Sequence, residues 1–283
     1  MQEKWKDYYS KEQLQKVQEI ELENLKVFIE ICKKLKVDYV LYGGSLLGQV
    51  KYKGFIPWDD DIDVALPRKS YERFVRYAPK LLPENYFIQT PYNCATSPYP
   101  YTKLRRKGTQ YVEYVHRNLR METGIYMDIY PIDRIPDNEM ERKKQFKRVR
   151  RWIFIYVCRQ SRLYEKKEQG AKGVIKNFTR FIVCKILKII PKEYCVKRID
   201  LYMTQYNDTN NKRYSALNSP NYENTYDQLY PLLKGEFCGL EVCIPNDYLN
   251  HLYRRYGDFS KTPPKGDMVG HIPYILDLGE HEN

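Results

Sequence analysis

Four aspartates fall within the five residues Asp59-Asp60-Asp61-Ile62-Asp63, and this run limits what the chain can fold into more than any other feature. From Asp61 to Leu66 polar and apolar side chains alternate, the pattern of a strand with one face in a core. Side chains at i and i+2 of a strand share a face, so Asp61 and Asp63 point the same way, joined by Asp59 if the strand begins that early. Carboxylates crowded on one face repel unless a cation or proton neutralises them. A hard divalent ion, Mg²⁺ or Mn²⁺ in its place, is the natural neutraliser: it takes oxygen ligands and keeps positions for substrate phosphates. Asp128 stands in the otherwise apolar Tyr126-Met127-Asp128-Ile129-Tyr130, where a lone buried carboxylate is costly. A third acid reaching the same ion explains it, which makes Asp59, Asp61, Asp63 and Asp128 the candidate metal ligands.

Just upstream, Val37 to Tyr42 reads as a strand, Gly43-Gly44 breaks it, and Ser45 to Val50 starts a short helix. Glycines let the backbone approach an anion, and a helix N-terminus supplies free N–H groups and a positive dipole end. Ser45 is placed to cap that helix and to touch a phosphate. A Gly-Gly-Ser turn is a weak signal by itself. Coupled to an Asp-x-Asp strand and a third acid, it supplies the parts of nucleotidyl or phosphoryl transfer.

The rest of the chain fits an α/β core with a basic helical appendage. Apolar residues recur at three and four from Ser10 to Lys36, an amphipathic helix opened by a capping box of Ser10 and Gln13. A helix follows over Lys69–Lys80, then strands at 86–89, 101–105, 110–115 and 124–132, the last ended by Pro131. Beyond Glu139 the chain turns basic and helical, up to about Tyr206, and a tail punctuated by Gly and Pro closes it. The division is a catalytic core over 1–138, a basic helical subdomain over 139–206 and a C-terminal segment over 207–283 that packs back on the core.

The formal net charge is +12, with Lys and Arg concentrated between Arg142 and Arg198. A basic body around a carboxylate cluster suits an enzyme of polyphosphates better than a nucleic-acid binder, whose phosphate backbone those carboxylates repel. The seven cysteines are scattered without a Cys-x-x-Cys pair, which argues against a disulfide framework and a zinc site. With no apolar leader at Met1–Trp5, this points to the cytoplasm. Between Lys172 and Lys192, apolar residues alternate with Lys and Arg, as in a helix lying on the anionic inner face of a membrane. The 28 tyrosines fit a compositional drift that also favours Lys, Asn and Ile; the other reading is a site for polar, sugar-like ligands, against which the ring packs while the hydroxyl bonds.

Tyr42-Gly43-Gly44-Ser45-Leu46-Leu47-Gly48, followed by Gly54-Phe55-Ile56-Pro57-Trp58-Asp59-Asp60-Asp61-Ile62-Asp63, resembles the signature of the LicD family. That family is named for phosphocholine transferases that decorate bacterial cell-surface glycans, and fukutin-type proteins are its relatives. The likeness runs on through Lys103-Leu104-Arg105, Thr109 and Gly124–Asp133, and returns at Tyr256-Gly257-Asp258, Pro263-Pro264 and His271. It implies a nucleotidyltransferase-like fold, a mixed sheet flanked by helices, with a basic helical insertion. It also implies a CDP-linked donor whose phospho-alcohol passes to a sugar hydroxyl. Carried over, the Asp-x-Asp pair falls on Asp61 and Asp63 and the third acid on Asp128, the candidate catalytic residues. One departure is Lys51-Tyr52, where the family usually has Arg-His; a lysine keeps the charge but loses the bidentate fork.

The reading is a metal-dependent transfer of phosphocholine, or a similar phospho-alcohol, from a CDP-linked donor. The acceptor is a glycan, or a lipid-linked glycan, of a teichoic acid, capsule or lipopolysaccharide precursor, and no nucleic acid takes part. Gly43, Gly44, Ser45, Lys51, Lys103, Arg105 and His271 are the candidate phosphate- and donor-binding residues. Two alternatives remain: a nucleotidyltransferase using an NTP, and a non-catalytic basic module binding nucleic acid or membrane.

Overall fold

Helix α1 spans Lys11–Leu35 and is fixed at both ends by the chain's own chemistry. Ser10 Oγ accepts from the Gln13 N–H at 3.1 Å while Gln13 Oε1 accepts from the Ser10 N–H at 2.9 Å, the reciprocal box expected from the sequence. Lys36 then turns left-handed at φ 51° and its N–H closes on Cys32 and Lys33. This computed structural model describes residues 8–279 except 114, 115, 118, 120, 122, 161–169, 218, 221, 222 and 269.

Strand β1 (Val40–Leu41) leads into helix α2 (Gly43–Tyr52). The glycine pair is therefore the first turn of α2 and not a turn before it: the Leu46 N–H already bonds the Tyr42 carbonyl. Strand β2 (Asp63–Pro67) starts two residues later than the alternation suggests. Its register with β6 begins at Asp63 opposite Asp128, the Ile62 carbonyl accepting from the Asp128 N–H at 2.8 Å, and before that the Asp59 N–H folds back on Ile56 O in a turn. Asp59, Asp60 and Asp61 thus sit on a loop rather than on a strand face.

Helix α3 (Arg68–Tyr77), strands β3 (Tyr86–Gln89), β4 (Thr102–Arg106) and β5 (Gln110–Glu113), and strand β6 (Tyr126–Ile135) follow. Positions 114–115, expected to extend β5, lie outside the described residues. Pro131 does not end β6. On one side the strand pairs with β4 as far as Ile129, and from Ile132 that role passes to β7 (Arg213–Ala216). The proline falls in the interval where that side is changing partners, so its missing N–H interrupts no ladder there.

The main sheet runs β1-β2-β6-β4-β3, with β7 and β8 (Glu223–Thr225) continuing from the far half of β6. Only β2 and β6 pair in parallel among the described strands; the sheet is mixed, as the sequence implied. Val64 and Leu66 of β2, Met127 and Ile129 of β6, Leu104 of β4 and Ile88 of β3 all enter one core. Phe28 of α1, Phe74 of α3 and the hairpin β9 (Leu233–Phe237) and β10 (Leu240–Ile244) complete it, with helix α8 (Tyr248–Tyr256). Alternation then sends Asp63, Asp128, Lys103 and Arg105 to the opposite face.

Helices α4 (Glu139–Gln160) and α6 (Lys192–Thr204) share a separate apolar cluster around Tyr156, Cys195 and Ile199, and α5 (Gly170–Leu187) lies against α4. No helix among the described residues is long and apolar enough to cross a membrane. Short helix α7 (Tyr226–Leu229) precedes β9, and β11 (Pro273–Asp277) pairs with β5.

Candidate active site

The register of the sheet sets up the site. Asp63 faces Asp128 across the parallel β2–β6 pair, and Asp128 faces Lys103 across the antiparallel β6–β4 pair. Three side chains from three neighbouring strands therefore form one row. Lys103 Nζ donates to Asp128 Oδ1 at 2.5 Å, and the Tyr130 hydroxyl lies 3.0 Å from both Asp63 Oδ1 and Asp128 Oδ2. Asp61 reaches the row from its loop. Oxygens of Asp61, Asp63 and Asp128 lie within 4.8 Å of one another.

Such a set is electrostatically unbalanced by itself. Burial, aided by neighbouring Asp60 and Asp128 and opposed by His271, pushes the Asp61 carboxyl up to about 6. Burial and then the charges of Asp61 and Asp128 push Asp63 well above the ordinary range. Burial also draws the Lys103 ammonium down, with Asp128 opposing. The donor set is all oxygen and only partly offset by the chain, through Lys103 beside Asp128 and His271 beside Asp61, so a hard divalent cation fits it.

The glycines of α2 have a spatial reason. A Cβ on Gly43 would stand 2.6 Å from Asp63 Oδ2, and one on Gly44 would stand 2.6 Å from Asp59 Oδ2. The first turn of the helix is thus pressed against the acidic loop, with its positive end toward the carboxylates. Ser45 Oγ accepts from the Asp63 N–H at 2.8 Å, so it ties α2 to β2, and it is not the cap of α2, whose N-cap is Tyr42.

Two residues of the loop go elsewhere. Asp59 lies outside the Asp61–Asp63–Asp128 group. Asp60, which the sequence reading did not select, is the loop's anchor. Its Oδ2 accepts from the hydroxyls of Tyr9 at 2.5 Å and Tyr111 at 2.6 Å, and its Oδ1 accepts from the His271 N–H at 2.9 Å. Burial pushes its carboxyl up, but His271 and the two hydroxyls outweigh that and hold it below the usual range. His271 Nδ1 lies 3.2 Å from Asp60 and 3.6 Å from Asp61. The Asp61 charge, against burial, raises its pKa well above the ordinary imidazole value. Gly270 packs so close that a Cβ there would come within 2.7 Å of Asp60 Oδ1.

The other sequence candidates are distributed unevenly. Lys103 is buried under Tyr126 at 3.3 Å and Tyr99 at 4.1 Å from their ring centres, and its ammonium is bound to Asp128. Arg105 is fully buried and directs Nε to Gln89 at 2.8 Å and Nη1 to the Gly124 carbonyl at 2.6 Å, away from the carboxylates. Lys51 lies near the far end of α2, where its Nζ reaches the carbonyls of Ser260 and Lys261. Seven residues of helix from Gly44 put it roughly 10 Å along the axis from the acidic loop.

Glu21 was also missed. It is fully buried on α1, pushed well above the ordinary range by burial and by Asp61 and Asp128. The signal was present: Leu14, Val17, Glu21, Asn24 and Phe28 step by three and four, so two polar residues occupy positions of the buried stripe.

This geometry coincides with a known domain. The family model for LicD/FKTN/FKRP, nucleotidyltransferase domain, matches residues 36–157. Those residues form a LicD-family domain. It holds the α2 glycines, the acidic loop, Lys103 and Asp128, and leaves Glu21 and His271 outside. The chain is also 28% identical over 255 residues to the lipopolysaccharide cholinephosphotransferase LicD of Haemophilus influenzae, covering 87% of this chain and 91% of that protein. A shorter likeness, 32% over 60 residues, links it to an uncharacterised protein of Rickettsia typhi, covering 21% of this chain and 19% of the other.

Proposed function

We propose that this LicD-type enzyme transfers phosphocholine, or a similar phospho-alcohol, from a CDP-linked donor to a sugar hydroxyl of a cell-surface glycan precursor. The convergence of Asp61, Asp63 and Asp128 in a LicD-family domain carries the reading. The Haemophilus relative, named for transfer to lipopolysaccharide, supports the choice of group and acceptor class.

In this reading Asp61, Asp63 and Asp128 hold Mg²⁺ or Mn²⁺. When bound, that ion offsets charge on the donor's phosphates. The first turn of α2 presents N–H groups toward the same place. The acceptor oxygen forms a bond to the phosphorus bearing the choline, the bond from that phosphorus to the oxygen of CMP breaks, and CMP departs. The proton of the hydroxyl passes to a carboxylate. The single proton of the Tyr130 hydroxyl goes to one of the two acids, but Asp128 is in addition bound by the Lys103 ammonium and Asp63 is not, which favours Asp63 as base. Tyr130 steadies both acids, and Asp60 with Tyr9, Tyr111 and His271 fixes the loop that carries Asp61.

The test is incubation of the protein and Mg²⁺ with CDP-choline, CDP-glycerol, CDP-ribitol or plain NTPs, beside Asp63→Asn. Release of CMP from one CDP-alcohol, lost in the variant, is the expected result. Pyrophosphate from an NTP would transfer the case to the nucleotidyltransferase alternative. No product with any donor, and no thermal response to Mg²⁺, would sink the carboxylate argument.

A further inference from the structure

Helix α5 is turned inside out. On a 3.6-residue wheel Val174, Ile175, Phe178, Ile182 and Ile186 share one side, and Ile189 just past the helix continues it. That side faces solvent: Val174 is 68% exposed, Phe178 62% and Ile189 80%. The opposite side, with Gly173, Asn177, Cys184 and Leu187, is the less exposed one. A helix packed on a protein core normally shows the reverse arrangement. Phe154 of α4, also exposed, lines a groove of about 580 Å³ with Ile175 and Val183 of α5, which widens the apolar surface.

The charge around this surface selects what covers it. From Gly170 to Lys192 the chain has no acidic residue, while Lys176 and Lys188 stand exposed beside the apolar stripe and Lys185 stands exposed within it. The neighbouring surface of α4 adds exposed Lys147, Arg150 and Arg151. A second copy of this chain, itself at +12, would bring the same cations against them. An apolar stripe with a one-sign cationic border matches the boundary between anionic headgroups and acyl chains.

We propose that the outward face of α5, with Phe154, docks on an anionic phospholipid bilayer. Phe178, Ile182 and Ile186 enter the headgroup boundary, and the lysines hold lipid phosphates. This deepens the acceptor side of the proposed function, and its test needs no donor. Wild-type protein is sedimented with vesicles of phosphatidylglycerol and phosphatidylcholine, and with phosphatidylcholine alone. Two variants run beside it, Phe178→Ser/Ile182→Ser and Lys176→Gln/Lys185→Gln/Lys188→Gln, each checked by its melting temperature.

The expected result is salt-sensitive binding to the anionic vesicles only, weakened in both variants, by about a hundredfold for the three-charge variant. Variants that bind like wild type, equal binding to neutral vesicles, or no binding to either would overturn the inference. So would a wild-type dimer in sedimentation velocity that the Phe178→Ser/Ile182→Ser variant dissolves, since the occupant would then be a second copy. Vesicle binding that follows this pattern in a protein with no transfer activity supports the docking face while sinking the transferase reading.

Discussion

Asp63 and Asp128 meet because the parallel pairing of β2 and β6 puts them in register. Neither Asp63→Asn nor Asp128→Asn need disturb the strands, and each is expected to lower transfer by at least about a thousandfold while leaving circular dichroism unchanged. Lys103→Met leaves Asp128 buried without its cation, and should cost about 3–5 kcal/mol in urea unfolding. Burial of the acidic cluster also has a pH signature. Metal-free, Asp61 titrates at about 6 instead of 3.8, so the folded state binds more protons than the unfolded between those values. Stability therefore falls as pH rises through that window, by up to about 3 kcal/mol, and Mg²⁺ restores it at neutral pH. A melting temperature flat across the window in chelator, or indifferent to Mg²⁺ at pH 7, would contradict this. The site was legible at this scale wherever a residue's chemistry clashed with its neighbourhood, as with Asp128 in an apolar strand. It was illegible where the decisive partner is remote in sequence. Nothing near Asp60 announces Tyr9 or Tyr111, each 51 residues away, and nothing near Arg105 announces that its donors turn to Gln89 and Gly124.

At the scale of elements, α1 was readable to within a residue because its cap and its periodicity are local properties. The start of β2 and the length of β6 were not, since both depend on which strand lies alongside. The alternation over Asp61–Leu66 overran the pairing, and Pro131 stopped a strand on paper that in the fold only changes neighbours. A similar dependence on context holds α3 to β6. Arg68 donates to both carboxylate oxygens of Asp133, which is fully buried and also bonded by Asn207. Arg68→Leu should lower stability by about 3–5 kcal/mol, measured by urea denaturation, and the Arg68→Leu/Asp133→Leu double variant should recover part of that loss. If the double variant is no better than the single, the ion pair is not what joins these elements.

For the molecule as a whole, fold class was visible, and the residues of the candidate site could be gathered, because a contiguous stretch, residues 36–157, matches the LicD-family domain model. The contribution of distant segments was not, because it consists of contacts across the full chain. Tyr9 precedes α1, Tyr111 belongs to β5 and His271 precedes β11, and all three end on one carboxylate. Asp60→Ala is thus expected to lower the melting temperature by several degrees and to loosen both ends of the chain together, readable as joint loss of hydrogen-exchange protection near residues 9–14 and 273–277. Exchange that rises at one end only would show the two to be anchored independently.

The meeting at Asp60 also bears on timing during synthesis. His271 lies 211 residues beyond its partner, so a ribosome has delivered every aspartate of the cluster, and the sheet that holds them, long before the imidazole emerges. Until then the loop lacks one of its tethers and Asp61 lacks its neighbouring cation. In that interval the acidic loop has not yet reached its final setting, which waits on a residue made 211 positions later.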